Sequence, residues 1–204
     1  MSLKEERAIA QKYIGDFPWF MVTWGLGGFF GWIALFPLVH LGYIPMWLGF
    51  VLATIVICYC YLPTHEAPHG NIGRPGTRGR WLNEFIGHTS AFPSLVPYRL
   101  HRAIHLKHHA YANDNERDPD IYIRADSLWG AAWNAYLSKQ PGQAGALTEN
   151  VIEASGQKQK LVMEALVVTR IGWLIMLILA WSGFALELLM LWWLPRAIAG
   201  IYTP

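Results

Sequence analysis

Residues 46–62, MWLGFVLATIVICYCYL, run without a charged side chain into residues 63–69, PTHEAPH. The uncharged run is about as long as an apolar helix that crosses a bilayer. Two histidines, His65 and His69, follow four residues apart where the run ends. The stretch therefore predicts a membrane-spanning helix that carries a pair of candidate metal ligands at one end.

A second apolar run precedes this helix. Residues 17–39, FPWFMVTWGLGGFFGWIALFPLV, are uncharged over a length that suits one span. Gly42 and Pro45 mark a turn between the two runs. The two spans are therefore expected to lie side by side, joined by a short loop.

The C-terminal part of the chain, residues 161–204, is apolar again. It is long enough for two spans, 161–182 and 184–203, with a turn near Ser182–Gly183, and one tilted span is the alternative. The sequence thus predicts an all-α integral membrane fold in a single domain, 1–204. About four transmembrane helices would carry a cytoplasmic histidine-rich helical cap.

Composition and charge agree with a membrane location. Charged residues make up 15% of the chain, whereas soluble domains carry about 25%. The eleven Trp residues belong to a residue type that favours the membrane–water boundary. The net charge of +2 and the lack of an RNA- or DNA-binding pattern argue against a nucleic-acid partner.

The distribution of positive charge predicts the orientation. Fourteen of the sixteen Lys and Arg residues lie in residues 1–16 and 63–160. The positive-inside rule then places the N-terminus and the central segment in the cytoplasm, with a bacterial-type inner membrane as the expected location.

Cys58 and Cys60 fall within a span and are expected to be packing residues rather than a disulfide.

Seven of the eight histidines lie in the central segment, at positions 65, 69, 88, 101, 105, 108 and 109. His105, His108 and His109 share one face if residues 99–112 are helical, because side chains three and four residues apart lie above one another. Imidazole suits Zn, Cu, Fe and Ni. The set exceeds the three protein ligands of a catalytic zinc, so two metal ions fit the count better, and iron suits dioxygen chemistry.

The letters HEAPH also match the H-E-x-x-H pattern of zinc metalloproteases, in which Glu66 would be the general base. An intramembrane protease is therefore a remote alternative. Pro68 counts against it, since that motif needs an unbroken helix. The second histidine cluster counts against it too, because a protease does not need one.

Polar residues near the histidines are candidates to orient them. A metal-bound histidine usually donates its other ring N–H to a carboxylate or a carbonyl. The acidic stretch after His109 could supply such partners, and the alternative is that it only forms helix caps and turns. A calcium loop there lacks the required Gly. The candidate orienting residues are Glu66, Asn113, Asp118 and Asp120, with Asp114 as a further member of the acidic stretch.

These motifs resemble the histidine boxes of the membrane fatty acid desaturase and hydroxylase superfamily. Members of this family carry three boxes, mostly H-x3-4-H, H-x2-3-H-H and H-x2-H-H, which hold a non-haem di-iron centre. His65 and His69 match the first box, and His105, His108 and His109 match the second. The stretch HLKHHAYANDNERDPD is similar to that of β-carotene ring hydroxylases, and a preceding GH in those proteins makes His88 a further candidate ligand. His101 matches no box.

The resemblance implies an O2-dependent oxidoreductase with two Fe that desaturates fatty acyl chains in lipid metabolism. A β-carotene ring hydroxylase on the same scaffold is the alternative, because substrate placement decides between the two outcomes. A ferredoxin- or cytochrome-like protein would supply electrons. Basic residues among the boxes could dock such a donor or hold lipid headgroups, although positive-inside bias explains them equally well. They are Arg74, Arg78, Arg80, Arg99, Arg102 and Lys107.

The third box of the family is not found in these 204 residues. We therefore expect that the chain is a fragment, that it is inactive alone, and that the DNA after codon 204 encodes an H-x2-H-H.

Residues 127–137, SLWGAAWNAYL, place Trp129, Trp133 and Tyr136 on roughly one helical face. This pattern predicts a helix that lies in the membrane interface.

Overall fold

The computed structural model of the chain describes residues 2–11, 17–74, 76–138 and 146–202. Over these residues all regular structure is helical, which confirms the predicted all-α fold. The helices are α1 (Leu3–Gln11), α2 (Trp19–His40), α3 (Met46–Glu66), α4 (Arg80–Ala91), α5 (Tyr98–Tyr111), α6 (Leu128–Ser138), α7 (Ala146–Ala154), α8 (Lys158–Leu179), α9 (Ala185–Leu188) and α10 (Leu194–Tyr202).

Three helical stretches among the described residues are long and apolar enough to cross a membrane: α2, α3 and the 44-residue stretch Lys158–Ile201. Helix α3 extends beyond the predicted end at residue 62, because Pro63 is accommodated inside the helix and the last turn continues to Glu66. His65 therefore lies on the last turn of a candidate span.

The third stretch turns back on itself at Gly183. A straight helix of 44 residues would measure about 66 Å, roughly twice the hydrocarbon thickness of a bilayer. Gly183 has a φ of 92°, a conformation that is accessible to glycine without strain. The rings of Trp173 and Trp193 lie 5.9 Å apart on either side of this break. Residues 158–202 therefore form a C-terminal hairpin, with its turn where the sequence predicts one.

Helices α4 and α5 form a second hairpin, the histidine hairpin, which enters the helical bundle. Its tip, residues 92–97, starts with the 3-10 turn Phe92–Ser94. The ring of Phe92 lies 6.5 Å from that of Phe29, the eleventh of the 22 residues of α2. The histidine hairpin therefore reaches halfway along a candidate span, while its His105 and His109 lie at the end of α3, where the sequence predicted a histidine-rich cap. The apolar tip, FPSLVP, gains burial by entering.

Side chains of the C-terminal hairpin hold the tip in place. The indole N–H of Trp192 donates to the carbonyl oxygen of Pro93 at 2.7 Å, and Arg196 Nε donates to that of Ser94 at 2.9 Å. Non-helical backbone is tolerated at membrane depth only where such groups find partners within the protein. These two bonds therefore explain how an irregular turn can lie inside the bundle.

Helix α6 packs against α10 and leaves two of its aromatic side chains, Trp129 and Trp133, exposed. Trp129 is 87% exposed. The predicted helix over residues 127–137 is thus present as Leu128–Ser138, and its membrane contact stays a prediction. Part of the polar connector that follows, residues 139–145, lies outside the described residues.

Candidate metal centre

Four histidines from two separate elements converge at one end of α3. One ring nitrogen from each of His65, His69, His105 and His109 lies within 4.8 Å of the others. His65 is on the last turn of α3, His69 is in the turn that follows, and the other two are one turn apart on α5. The closest pair, His69 Nε2 and His105 Nε2, is separated by 3.0 Å. The predicted pairing of the two clusters is therefore present in the fold.

A buried asparagine fixes the turn that carries His69. Asn83 of α4 is 0% exposed. Its side-chain amide donates to the carbonyl oxygen of Ala67 at 2.9 Å and accepts from the backbone N–H of Gly73 at 3.2 Å. Sequence reasoning missed this residue. The available signal was an amide inside a short helix, RWLNEFIGHTSA, that has apolar residues on both sides of it.

Next to its tip, the histidine hairpin is fixed by contact between Tyr98 and Gly87. Tyr98 is fully buried where α5 starts. A Cβ atom at Gly87 would come within 2.4 Å of the Tyr98 ring, so only glycine allows this approach. The contact sets the path of α5 and, with it, the positions of His105 and His109.

The environment lowers the pKa of two of the converging histidines, His69 and His105. His105 is 6% exposed, and burial, followed by the neighbouring histidines, lowers its pKa to about 3. Burial and then His109 and His65 also lower the pKa of His69. Metal ions bind the neutral form of imidazole. These two histidines are therefore already in the protonation state that a metal needs at neutral pH.

The cluster is closed on one side and open on the other. His105 is buried, whereas His69 and His109 are exposed. The open side leaves room for ligands other than these four side chains. This arrangement differs from a structural zinc site, which is closed by four protein ligands.

Glu66 holds one of the four rings. His65 Nδ1 lies 2.9 Å from Glu66 Oε1, and the side-chain amide of Asn71 donates to the other carboxylate oxygen. A proton on Nδ1 that is donated to this carboxylate leaves the lone pair of Nε2 free for a metal. The predicted orienting role fits this geometry better than the role of general base in a protease, since both oxygens are engaged.

His108 does not join the group of four but faces two carboxylates. Its Nδ1 lies 2.7 Å from Asp118 Oδ1 and 3.7 Å from Asp120 Oδ2. Asp118 is buried and also accepts from the backbone N–H groups of Asn113 and Asp120. Burial alone would raise the pKa of Asp118, but these hydrogen bonds, with that of His108 the largest, lower it. The carboxylate is thus ionised and positioned to orient His108.

The remaining candidates lie elsewhere. His88 is on α4, and its Nδ1 faces Glu164 of α8 at 3.3 Å, so the structure does not bring it into the group of four. His101 stacks on His105 with ring centroids 5.3 Å apart. Asp114 pairs with Arg117 in the same loop. The ligand roles predicted for His88 and His108 therefore stay predictions.

The donor set fits a transition metal. Four imidazoles each bring a ring nitrogen within 4.8 Å of the others, and imidazole ligands suit Fe, Zn, Cu and Ni. The carboxylates next to His65 and His108 are the partners that metal-bound histidines usually have. The residues are therefore suited to hold at least one such ion.

Comparisons with known proteins agree with this geometry. A family model described as fatty acid desaturase matches residues 41–204. The sn-1 oleoyl-lipid 12-desaturase of Picosynechococcus sp. is 25% identical over 103 residues, which cover 47% of this chain and 28% of that protein. The sn-1 acyl-lipid omega-3 desaturase (ferredoxin) of Nostoc sp. is 28% identical over 114 residues, which cover 53% of this chain and 31% of that protein.

The chain therefore spans less than a third of the length of either relative. No solved structure matches it.

Proposed function

Because the chain belongs to the fatty acid desaturase family, we propose that it carries the metal site of a membrane oxidoreductase that uses O2 to desaturate fatty acyl chains of lipids. The convergence of His65, His69, His105 and His109 is the observation that carries the proposal. Both relatives are named as desaturases of acyl lipids, which supports the substrate class. The apolar helices α2 and α3 place the chain in a membrane, where such lipids lie.

The metal site proposed here is a non-haem di-iron centre. The four converging histidines would hold iron, with His108 as a further ligand through Nε2. Bound iron would supply the O2-activating chemistry that breaking an unactivated C–H bond requires and that no side chain provides. Glu66 and Asp118 hold the Nδ1 atoms of His65 and His108, so both rings present Nε2 in a fixed orientation.

The reaction defines what else must reach the site. Desaturation removes two hydrogen atoms and their electrons from the acyl chain, while O2 takes up two further electrons and two protons to form two water molecules. An external protein must deliver these electrons, and we propose a ferredoxin- or cytochrome-like donor. The name of the Nostoc relative, which includes ferredoxin, supports the first.

A docking surface for that donor would use the exposed basic residues near the site. Arg74, Arg78 and Arg99 are exposed. Arg80 and Arg102 are already paired with Glu84, which leaves less of their charge for a partner. An acidic donor would thus meet mainly Arg74 and Arg78, on the side we propose to be cytoplasmic, because Arg99 lies next to the tip of the histidine hairpin.

Lipid profiling of a host that expresses the gene as it stands in its genome tests the activity. We expect new double bonds in membrane acyl chains, and none from the His105→Ala variant. Mössbauer spectroscopy of the purified protein should find two coupled irons per chain. A single zinc without iron, together with an unchanged acyl profile, would contradict the proposal.

Hydroxylation of a carotenoid ring is the second candidate. The observation that favours it is the stretch HLKHHAYANDNERDPD at residues 105–120, which is similar to that of β-carotene ring hydroxylases. The two activities would use the same histidines. Carotenoid profiling of a carotene-producing host separates them, because a hydroxylase yields ring alcohols and leaves acyl chains unchanged.

We expect the 204-residue chain alone to bind metal without turning over. It supplies five histidines that match two boxes, and a complete di-iron centre of this family needs a third box. Iron binding and oxygen consumption, measured on the same purified chain with a reductant present, test this. Product formation by this chain would overturn the expectation.

A further inference from the structure

An apolar cleft of about 710 Å³ lies between α2, α4 and the C-terminal hairpin. None of the four converging histidines lines it. Its walls are aromatic and aliphatic, and the hydroxyl of Thr89 in the wall is already donated to the carbonyl of Phe85 at 2.9 Å. Among the residues that form the walls are Phe29, Trp32, Phe36, Phe92, Ile175 and Leu179.

Two polar pairs bridge the walls at opposite ends of the cleft. At one end, His88 of α4 lines the cleft and faces Glu164 of α8 at 3.3 Å. At the other end, His40 of α2 lies 2.9 Å from Glu187 of α9. The ring of Phe184, which also lines the cleft, stacks on His40 with centroids 4.1 Å apart.

These pairs indicate that the cleft is a built feature. Glu187 is 8% exposed, and carboxylates within membrane segments are costly and usually mark functional sites. Protein interiors are otherwise close-packed, so helices that were free to approach would close such a gap. Each pair ties the α2–α4 side to the C-terminal hairpin and holds the walls at a set separation.

We propose that this cleft binds one hydrocarbon chain of a bilayer lipid. The walls formed by α2 and the C-terminal hairpin belong to candidate membrane spans, so the surrounding medium is hydrocarbon. From Phe29 to Pro37 the cleft follows α2 for about 12 Å, and its space of about 710 Å³ is open on one side to this hydrocarbon. A single extended acyl chain can therefore enter from the bilayer and lie along the cleft.

The bound chain also packs against the histidine hairpin. Phe85, His88 and Phe92 belong to that hairpin and form part of the wall, and Trp192, which bonds the tip, lines the cleft as well. A chain in the cleft therefore supports the element that carries His105 and His109. This binding site is separate from the proposed reaction, so neither depends on the other being correct.

Retained lipid measures occupancy. The protein, purified in mild detergent, is analysed by native mass spectrometry, with Ile175→Trp and Leu179→Trp as variants that fill the cleft. Leu177→Trp is the matched control, since Leu177 is exposed on the same helix and does not line the cleft. We expect one lipid per chain in the wild type and the control, and at least a fivefold loss in the filled variants. Equal retention in all four proteins would overturn the proposal.

A second measurement needs no variant and so does not depend on folding of the Trp substitutions. The wild type is reconstituted into vesicles of phosphatidylcholine with a diazirine on one acyl chain, illuminated and digested. We expect cross-links concentrated in residues 29–37, 85–92 and 175–184. Cross-links spread evenly over the exposed faces of α8, or chain-to-chain cross-links at the cleft, would count against a lipid chain as the occupant.

Discussion

At the residue scale, the four converging histidines are held in different ways. His65 is fixed by the Glu66 carboxylate, and His105 is fixed by burial and by stacking on His101. His69 and His109 are exposed at the open side. The first two therefore define the position of a bound metal, and the other two are free to adjust to it.

Removing a buried ligand should weaken metal binding most. We expect His105→Ala to lower the affinity for Co²⁺ by well over tenfold, because loss of a mere orienting partner already costs about 10–100-fold. Optical titration of the Co²⁺ ligand-field bands measures it. His40→Ala is the control, because His40 is the last residue of α2 and lies at the end of the bundle opposite the histidine cluster. Equal affinity in both variants would mean that the cluster does not bind the ion.

The acidic loop offers a matched pair of substitutions. Asp118→Asn should lower metal affinity by about 10–100-fold, because the amide is neutral and no longer strengthens the ligand basicity of His108. Asp114→Asn is the control, since Asp114 pairs only with the same loop through Arg117 and the backbone N–H of Glu116 and Arg117. Identical Co²⁺ titrations for the two variants would remove His108 from the proposed ligand set.

The sequence predicted the local partners at this scale and missed the distant ones. Glu66 is adjacent to His65, and Asp118 follows His108 by ten residues, so short spacing and chemistry were enough. Asn83 bonds Ala67 sixteen residues away. His88 meets Glu164 on another helix. Such contacts depend on how the helices pack against one another, and the spacing of residues in the sequence does not predict that packing.

At the element scale, the histidine hairpin depends on a helix far along the chain. Trp192 and Arg196 bond the tip across separations of 99 and 102 residues. The tip lies level with the middle of α2, where water cannot replace a lost partner. The C-terminal hairpin thus positions α5, and with it two of the converging histidines.

Loss of the Arg196 donor should therefore reach the metal site. We expect Arg196→Met, which keeps an apolar stem and removes the hydrogen bond to Ser94, to speed hydrogen exchange in residues 92–100. It should also weaken Co²⁺ binding several-fold, since one such bond contributes about 0.5–1.5 kcal/mol. Arg196→Lys keeps a donor and should restore part of the affinity.

Trp192 provides an independent check of the same idea. Trp192→Phe removes the donor to Pro93 and keeps a ring, while the control Trp181→Phe changes an indole of the same hairpin that is 94% exposed. Only the first should alter exchange at the tip. If both substitutions leave the tip and the Co²⁺ titration unchanged, the bond between Trp192 and Pro93 does not hold the tip.

The spans were predictable from the sequence, and the hairpin that enters the bundle was not. Residues 17–39 and 46–62 are recognisable as spans because each is a long run without a charged side chain. Helix α4 has only 12 residues, with charged Arg80 and Glu84 on it, so no length criterion marks it as inserted. Helix α4 is buried because its Ile86 and Ser90 pack closely against Gly25 of α2. Hydropathy does not reveal such a contact.

At the scale of the whole molecule, two clusters of polar side chains lie at opposite ends of the bundle. The metal cluster lies where α3 ends, and the His40–Glu187 pair lies where α2 ends, next to the turn at Gly183. The apolar cleft runs between Phe92 and Phe184 and links the two regions. This arrangement requires that the Gly183 turn and the loop after α2 face the same side of the membrane.

Cysteine labelling tests that topology directly. Tyr43→Cys and Ser182→Cys should react with a membrane-impermeant maleimide added outside intact cells, because both residues lie at the end opposite the histidines and are exposed. Asn115→Cys, in the exposed loop after α5, should react only after permeabilisation. Native Cys58 and Cys60 lie within α3 and set the background in the unmutated chain. Labelling of Ser182→Cys only after permeabilisation would mean that residues 158–202 do not form a pair of crossings, and the two-ended arrangement would then be wrong.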